Sequence, residues 1–260
     1  ALTSCKTVMV TSCKGGVGKS TVSAGIALAL GRRGRLVLLI DLDLGMRCLD
    51  LILGCEDKAI YDIADAVCDG VPLERVAVDA GKNVRFCAAP FRKNTDMDES
   101  RFRAFTDGCK ESFDYIIIDT PGDIGKPFAL AAAVSDAALI TATHSPSSVR
   151  AAEHTGRELE KLGVKNSRLV VNCFDTSDTR RISRGQRLGL IDIIDKTYLQ
   201  LIGVVPYDAD FAFEQEHGRQ ADPKKSRNVV AAFDNIAARM DGEQIAVFNN
   251  FKKISRKKLM

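Results

Sequence analysis

The chain lacks the pattern that would tie its cysteines to a metal or to disulfides. Eight cysteines stand at positions 5, 13, 48, 55, 68, 87, 109 and 173. None forms a C-x-x-C pair, and His144, His154 and His217 form no ligand spacing. Scattered single thiols read as reduced, small apolar core residues. No charged-then-apolar leader opens the sequence, so no secretory signal is expected. A long hydrophobic run is missing too. The longest apolar stretch, 128–142, is broken by Ser135 and Asp136 and is too short and too interrupted to span a bilayer. Net charge is only +3, which argues neither for nor against a nucleic-acid partner.

What is present suits an enzyme with a sizeable core. The chain has 260 residues, of which 45% are hydrophobic, enough for one domain. Short apolar runs at 7–12, 36–41, 84–88, 115–119, 137–141, 169–172 and 201–205 read as strands. Helical patterns lie between and after them at 20–32, 60–69, 100–112, 126–134, 147–162, 187–195 and 225–240. This alternation predicts an α/β fold: a doubly wound, mostly parallel sheet with helices on both faces. In such sheets ligands bind at the carboxyl ends of the strands.

The segment VMVTSCKGGVGKST, residues 8–21, describes a phosphate cradle between a strand and a helix. Gly15, Gly16 and Gly18, with Val17 among them, let backbone N–H groups turn inward around an anion, and the helix opened by Ser20 and Thr21 adds its positive N-terminal end. Lys19 would reach the outer phosphates and the Ser20 hydroxyl would ligate Mg²⁺, as in the P-loop pattern G-x-x-x-x-G-K-[ST]. That pattern places Cys13 where its first glycine stands, which the backbone tolerates if φ there is negative. Lys14 is one lysine more than the cradle needs.

Carboxylates end two strands. Asp119 follows the run YIII, so its side chain would emerge beside the loop and hold Mg²⁺ through water. Asp41 and Asp43 end the second strand in DLDLG. On extended chain their side chains would point the same way, toward the phosphates. Helix capping or loop solvation is the alternative for all three. Asn172 also falls at a strand end, where an asparagine can equally satisfy loop backbone.

From residue 244 the chain reads QIAVFNNFKKISRKKLM, without an acidic residue. At 100° per residue Val247, Phe248, Phe251, Ile254 and Leu259 share an arc of roughly 140°. Lys252, Lys253, Arg256 and Lys257 lie outside it, and Lys258 can snorkel. A basic amphipathic helix of this kind reads as a surface membrane anchor. The expected organisation is a nucleotide-binding domain over 1–243 and a tail over 244–260. A disordered basic tail, or a final helix packed on the core, is the alternative.

The motif KGGVGKS resembles the deviant nucleotide loop of the MinD/ParA family of dimerising ATPases. The segments 41–67, 143–155, 183–194 and 201–211 resemble the MinD branch of that family, so the likeness covers nearly the whole chain. It implies a P-loop ATPase using ATP and Mg²⁺, an ATP-dependent homodimer, and attachment from the cytoplasm to the anionic inner face of the cell membrane. It further implies partners like MinC and MinE and no specific nucleic acid. By the same resemblance, Lys14 reaches across a nucleotide-sandwich dimer, Asp43 orients the attacking water and Asp41 supports the metal. Asn172 matches an adenine contact, and Pro206, Tyr207 and Asp208 match the segment that closes over the base. Relatives carrying iron–sulfur clusters are disfavoured by the cysteine spacing, with Cys87 and Cys109 the pair to examine. One stretch departs from the family pattern: 119–125 reads DTPGDIG where D-[ST]-P-A-G-I-E is usual. A DNA-partition ATPase, a relative that places flagella, and a nucleotide-binding scaffold with little turnover are the competing classes.

Overall fold

The structure, a computed structural model, describes residues 5–92, 95–175, 182, 184–219, 222 and 224–252. Its elements in chain order are β1 (Lys6–Thr11), α1 (Lys19–Arg32), β2 (Val37–Asp41), α2 (Cys48–Leu53), α3 (Ile63–Asp69), α4 (Leu73–Val76), β3 (Val78–Gly81), β4 (Val84–Cys87), α5 (Glu99–Cys109) and β5 (Tyr115–Asp119). There follow α6 (Lys126–Val134), β6 (Ala137–Ala142), α7 (Pro146–Lys161), β7 (Ser167–Phe174), α8 (Leu190–Thr197), β8 (Gln200–Pro206), α9 (Ala209–Glu216) and α10 (Arg227–Met240).

The strands form one sheet in the order β3-β4-β2-β5-β1-β6-β7-β8. Every pairing is parallel except β3 with β4. The apolar runs make this possible: β2 and β5 are buried at every position, as strands covered on both faces must be. One core layer gathers Val22, Ile26 and Leu30 of α1 with Phe233 and Ile236 of α10, and the other gathers residues of α3, α5, α6, α7 and α8. Gly25 lets α1 approach α10, since a Cβ there would lie 2.4 Å from the Phe233 ring.

The strand order turns around β1, which lies between β5 and β6. Its exit is therefore a switch point, where the carboxyl ends open a crevice. Register places Val10 opposite Asp119 and Asp41 opposite Asp119.

Two expectations change. β2 ends at Asp41, and the Asp43 amide turns back to donate to the Asp41 carboxylate at 2.8 Å. Asp41 and Asp43 are therefore not aligned on extended chain: Asp41 is buried against Asp119 and Asp43 is half-buried. The amphipathic helix expected from residue 244 is also not found over 244–252, where the chain is irregular with a turn at 247–250. Val247, Phe248 and Phe251 are half-buried and pack on the core. Ile254 and Leu259 lie outside the described residues. Among the described residues no helix is long and apolar enough to cross a membrane.

Candidate nucleotide-binding site

The loop between β1 and α1 carries the polar centre of the molecule. Gly18 precedes α1 with φ 82°, and no side chain caps the helix or places a carboxylate in its first turn. The first N–H groups of α1 thus stay available to an anion. Gly18 is required for a second reason: a Cβ there would fall 2.2 Å from Nδ2 of Asn172. Cys13 is absent from the residues with positive φ, so a side chain is accommodated where the usual loop has glycine. Its amide donates to Thr155 Oγ1 of α7 at 3.0 Å.

Lys19 is 8% exposed and sits inside the cradle. Beside it the second strand-end segment comes close. A Cβ on Gly122 would lie 3.1 Å from the Gly15 nitrogen and 3.3 Å from Lys19 Nζ. This is where the chain reads P-G in place of the family's P-A, and the glycine lets the segment lie against the loop. Thr120 fixes the segment's start by donating its hydroxyl to Val10 O at 3.0 Å.

Asp119 is fully buried and accepts from Ser20 Oγ and Ser23 Oγ, each at 2.7 Å. Burial pushes its carboxyl up to about 6, against the pull of the two hydroxyls and of Lys19. Asp41, likewise buried, is held well above the ordinary carboxylate range by burial and by the charge of Asp119. Two adjacent buried carboxylates and a serine hydroxyl at a phosphate cradle fit a hard divalent cation that keeps water and phosphate oxygens as its other ligands. Ser20, Asp119 and Asp41 would hold Mg²⁺, which when bound supplies charge neutralisation for the phosphate oxygens.

Lys14 does not point into the cradle. Its Nζ donates to Ser147 Oγ, in the first turn of α7, at 2.6 Å. Asp43 lines a neighbouring cleft of about 530 Å³ with Met46, Pro121, Asp123 and Lys126. Asn172 is 2% exposed and donates to Val17 O at 2.9 Å. The structure therefore puts its amide to use bracing the loop. Pro206 ends β8, the Tyr207 amide donates to Phe174 O at 3.1 Å, and Asp208 caps α9 through the Phe211 amide at 2.9 Å. That segment lies at the same sheet edge as the cradle.

Three residues that sequence reasoning passed over belong here: Ser23, Ser147 and Thr155. Ser23 had a readable signal, being three residues after Ser20 on one helix face. Ser147 and Thr155 had none without the sheet order, which sets α7 beside the loop. Cys87 and Cys109 are buried, and burial raises both thiols, Cys109 to about 12, which opposes the thiolate an iron site needs.

A glycine cradle after the first strand, a buried aspartate bonded to two helix serines and a lysine in the loop define a P-loop nucleotide hydrolase. A family model described as ParA, "NUBPL iron-transfer P-loop NTPase", matches residues 4–241. The septum site-determining protein MinD of Synechocystis is 33% identical over 242 residues, covering 92% of this chain and 90% of that protein. The MinC:MinD cell division protein complex of Aquifex aeolicus contains a chain with TM-score 0.83 and 31% identity, covering 93% of this chain and 97% of that one. MinD of Pyrococcus horikoshii complexed with Mg-ADP shares the fold, with TM-score 0.76 and 24% identity over 91% of this chain and 96% of that one. The chain belongs to the MinD/ParA family of P-loop ATPases, within its MinD branch, and is an ATPase.

Proposed function

We propose that this chain is an ATP-driven dimerisation switch that places the division site from the cytoplasmic face of the cell membrane. The observation that carries the reading is the separation of the two loop lysines: Lys19 is buried in the cradle, while Lys14 is held at its mouth by Ser147. Phosphoryl transfer needs positive charge at the bridging and terminal oxygens, and a charge supplied by a second subunit makes turnover conditional on assembly. Lys14 would supply that charge to a partner's nucleotide. In hydrolysis a water oxygen bonds to the γ-phosphorus as the β–γ bridging bond breaks. Asp43, at the open side of the site, would orient that water, and Asn172 with the 206–208 loop would enclose the base.

The relatives support the cellular role, since they are named septum site-determining proteins, and the Aquifex complex supports a MinC-like partner. A MinE-like regulator is a further expected partner. The uninterrupted positive charge of the C-terminus supports attachment to anionic lipid, where two tails on a dimer hold more tightly than one. Sedimentation of the full-length chain with anionic liposomes tests this. ATP and Mg²⁺ should raise the bound fraction severalfold, and the Lys14→Ala variant should lose that response. Salt-sensitive binding to duplex DNA without lipid binding would favour the partition reading instead.

A further inference from the structure

The amino ends of the strands, opposite the nucleotide loop, carry a cavity of about 820 Å³. Small-molecule sites commonly enclose roughly 300–1,000 Å³. β1 links the two ends of the sheet: Lys6 lines the cavity and Thr11 leads into the loop, about 17 Å away along the strand. The floor is apolar, because Val8, Leu139 and Ile202 belong to the core layer shared with α1 and α10. Met240, where α10 ends, closes one wall.

The rim is charged. Lys6, Lys110, Arg168 and Arg239 line it together with Asp136 and Glu111. Most of these groups already have partners. Lys6 Nζ donates to Met240 O at 3.0 Å and lies over the Tyr115 ring, Lys110 pairs with Asp107 at 2.8 Å, and Asp136 accepts from the Thr7 amide at 2.8 Å. Arg168 and Arg239 differ. Both are half-buried, yet among the described residues neither guanidinium has a hydrogen bond or an ion pair. Glu111 is exposed and pairs with neither.

A guanidinium has five donors and is seldom drawn partly out of water without an acceptor. A cation in the last turn of a helix is favourable, which accounts for Arg239 on α10. It does not account for Arg168, which stands on β7. Register sets Arg168 beside Leu139, so its side chain shares the apolar face that floors the cavity. Two unpartnered cations from separate elements thus meet one cavity over an apolar floor. The lining contains no glycine and no helix N-terminus, so it does not suit a polyphosphate chain.

We propose that this cavity binds a small amphipathic anion. Arg168 and Arg239 hold its carboxylate or phosphate, and Val8, Leu139, Ile202 and Met240 receive its apolar body. The guanidinium fork suits either headgroup, since both offer paired oxygens to parallel N–H bonds. The site shares no residue with the nucleotide crevice, and occupancy of the two is compatible.

The test uses the full chain with its nucleotide site saturated by Mg-ADP. Fluorescence titration compares 8-anilinonaphthalene-1-sulfonate with N-phenyl-1-naphthylamine, which has the same aromatic body without the anion. The sulfonate should bind saturably, one per chain, and roughly tenfold or more tighter than the amine, the scale of a charge-assisted hydrogen bond. Raising salt should narrow that difference. Decanoate and decyl phosphate should displace the sulfonate while decanol does not, and the stronger of the two competitors identifies the preferred headgroup. The combined Arg168→Gln and Arg239→Gln variant should lose the preference for the anion but bind the amine and Mg-ADP within about twofold of the parent. Ala137→Trp, which fills the cavity from its wall, should block both probes. Equal affinity for the two probes, or an unchanged preference in the double variant, would overturn the proposal. So would the lack of saturable binding, or binding that appears only when residues 1–4 are deleted, which would make the chain's own beginning the occupant.

Discussion

The two sides of the nucleotide crevice are built differently. On one side Lys19, Asp41 and Asp119 are buried, and Ser20 and Ser23 close on Asp119 at 2.7 Å. On the other side Lys14, Asp43 and Tyr207 are half-buried or exposed and are tied to surface partners or line an open cleft. The first side is preorganised and needs only its ligand. The second is open, with Lys14 turned to Ser147 and Asp43 on the cleft wall. On the proposed reading binding and hydrolysis are separable, and the second side is where another subunit would complete the site.

The comparison breaks most sharply at the two lysines. Lys19→Ala should weaken ATP binding by about 100-fold or more, since it removes a buried charge from the phosphates; calorimetric titration checks this. Lys14→Ala should leave binding within severalfold of the parent but lower turnover by roughly 100-fold or more, the scale of a cation supplied to the transition state. A phosphate-release assay beside the same titration separates the two effects.

A change in the brace should act on the preorganised side alone. Asn172→Ala leaves the buried Val17 carbonyl without its donor, at a cost of about 1–3 kcal/mol read from denaturant unfolding. It should lower ATP affinity through the loop without abolishing assembly at saturating nucleotide.

The smallest effect concerns protons. Asp119 has its folded carboxyl raised to about 6, above its unfolded value. Its contribution to the ligand-free protein's stability is present below the unfolded value and is lost as pH rises through about 6. Mg²⁺ nucleotide replaces the proton, so its stabilisation should grow over the same window. The melting-temperature increment from Mg-ATP should be about twofold larger near pH 7.5 than near pH 5. An increment that shrinks with pH would contradict the metal assignment.

Much of this was legible because most of the strands are short apolar runs, and two of them, β2 and β5, end in a carboxylate. The run YIIID became β5 over the residues expected, and KPFALAAAV became α6. The short β3, VDAG, was not legible: it is polar and exists through antiparallel pairing with β4. α2 and α9 escaped for a related reason, being six and eight residues long with periodicity too brief to register. The alignment of Asp43 with Asp41 failed because the chain beyond the strand's end at 41 was read as still extended, whereas the Asp43 amide turns back to Asp41's own side chain. The C-terminal segment misled through a sound pattern. Val247, Phe248 and Phe251 share a helical face on paper, but Asn249 and Asn250 are poor helix formers, and Asn228 and Asn235 on α10 capture the chain first. A single-segment wheel carries no information about a distant helix that offers hydrogen bonds.

In the proposed mechanism turnover waits for a second subunit bringing Lys14. The most direct measurement is specific ATPase activity against protein concentration, with oligomeric state followed by analytical ultracentrifugation in the same samples. Activity per molecule should rise with the dimer fraction for the parent chain and stay near zero at every concentration for Lys14→Ala. Constant activity per molecule, carried by monomer and unaffected by Lys14→Ala, would contradict it.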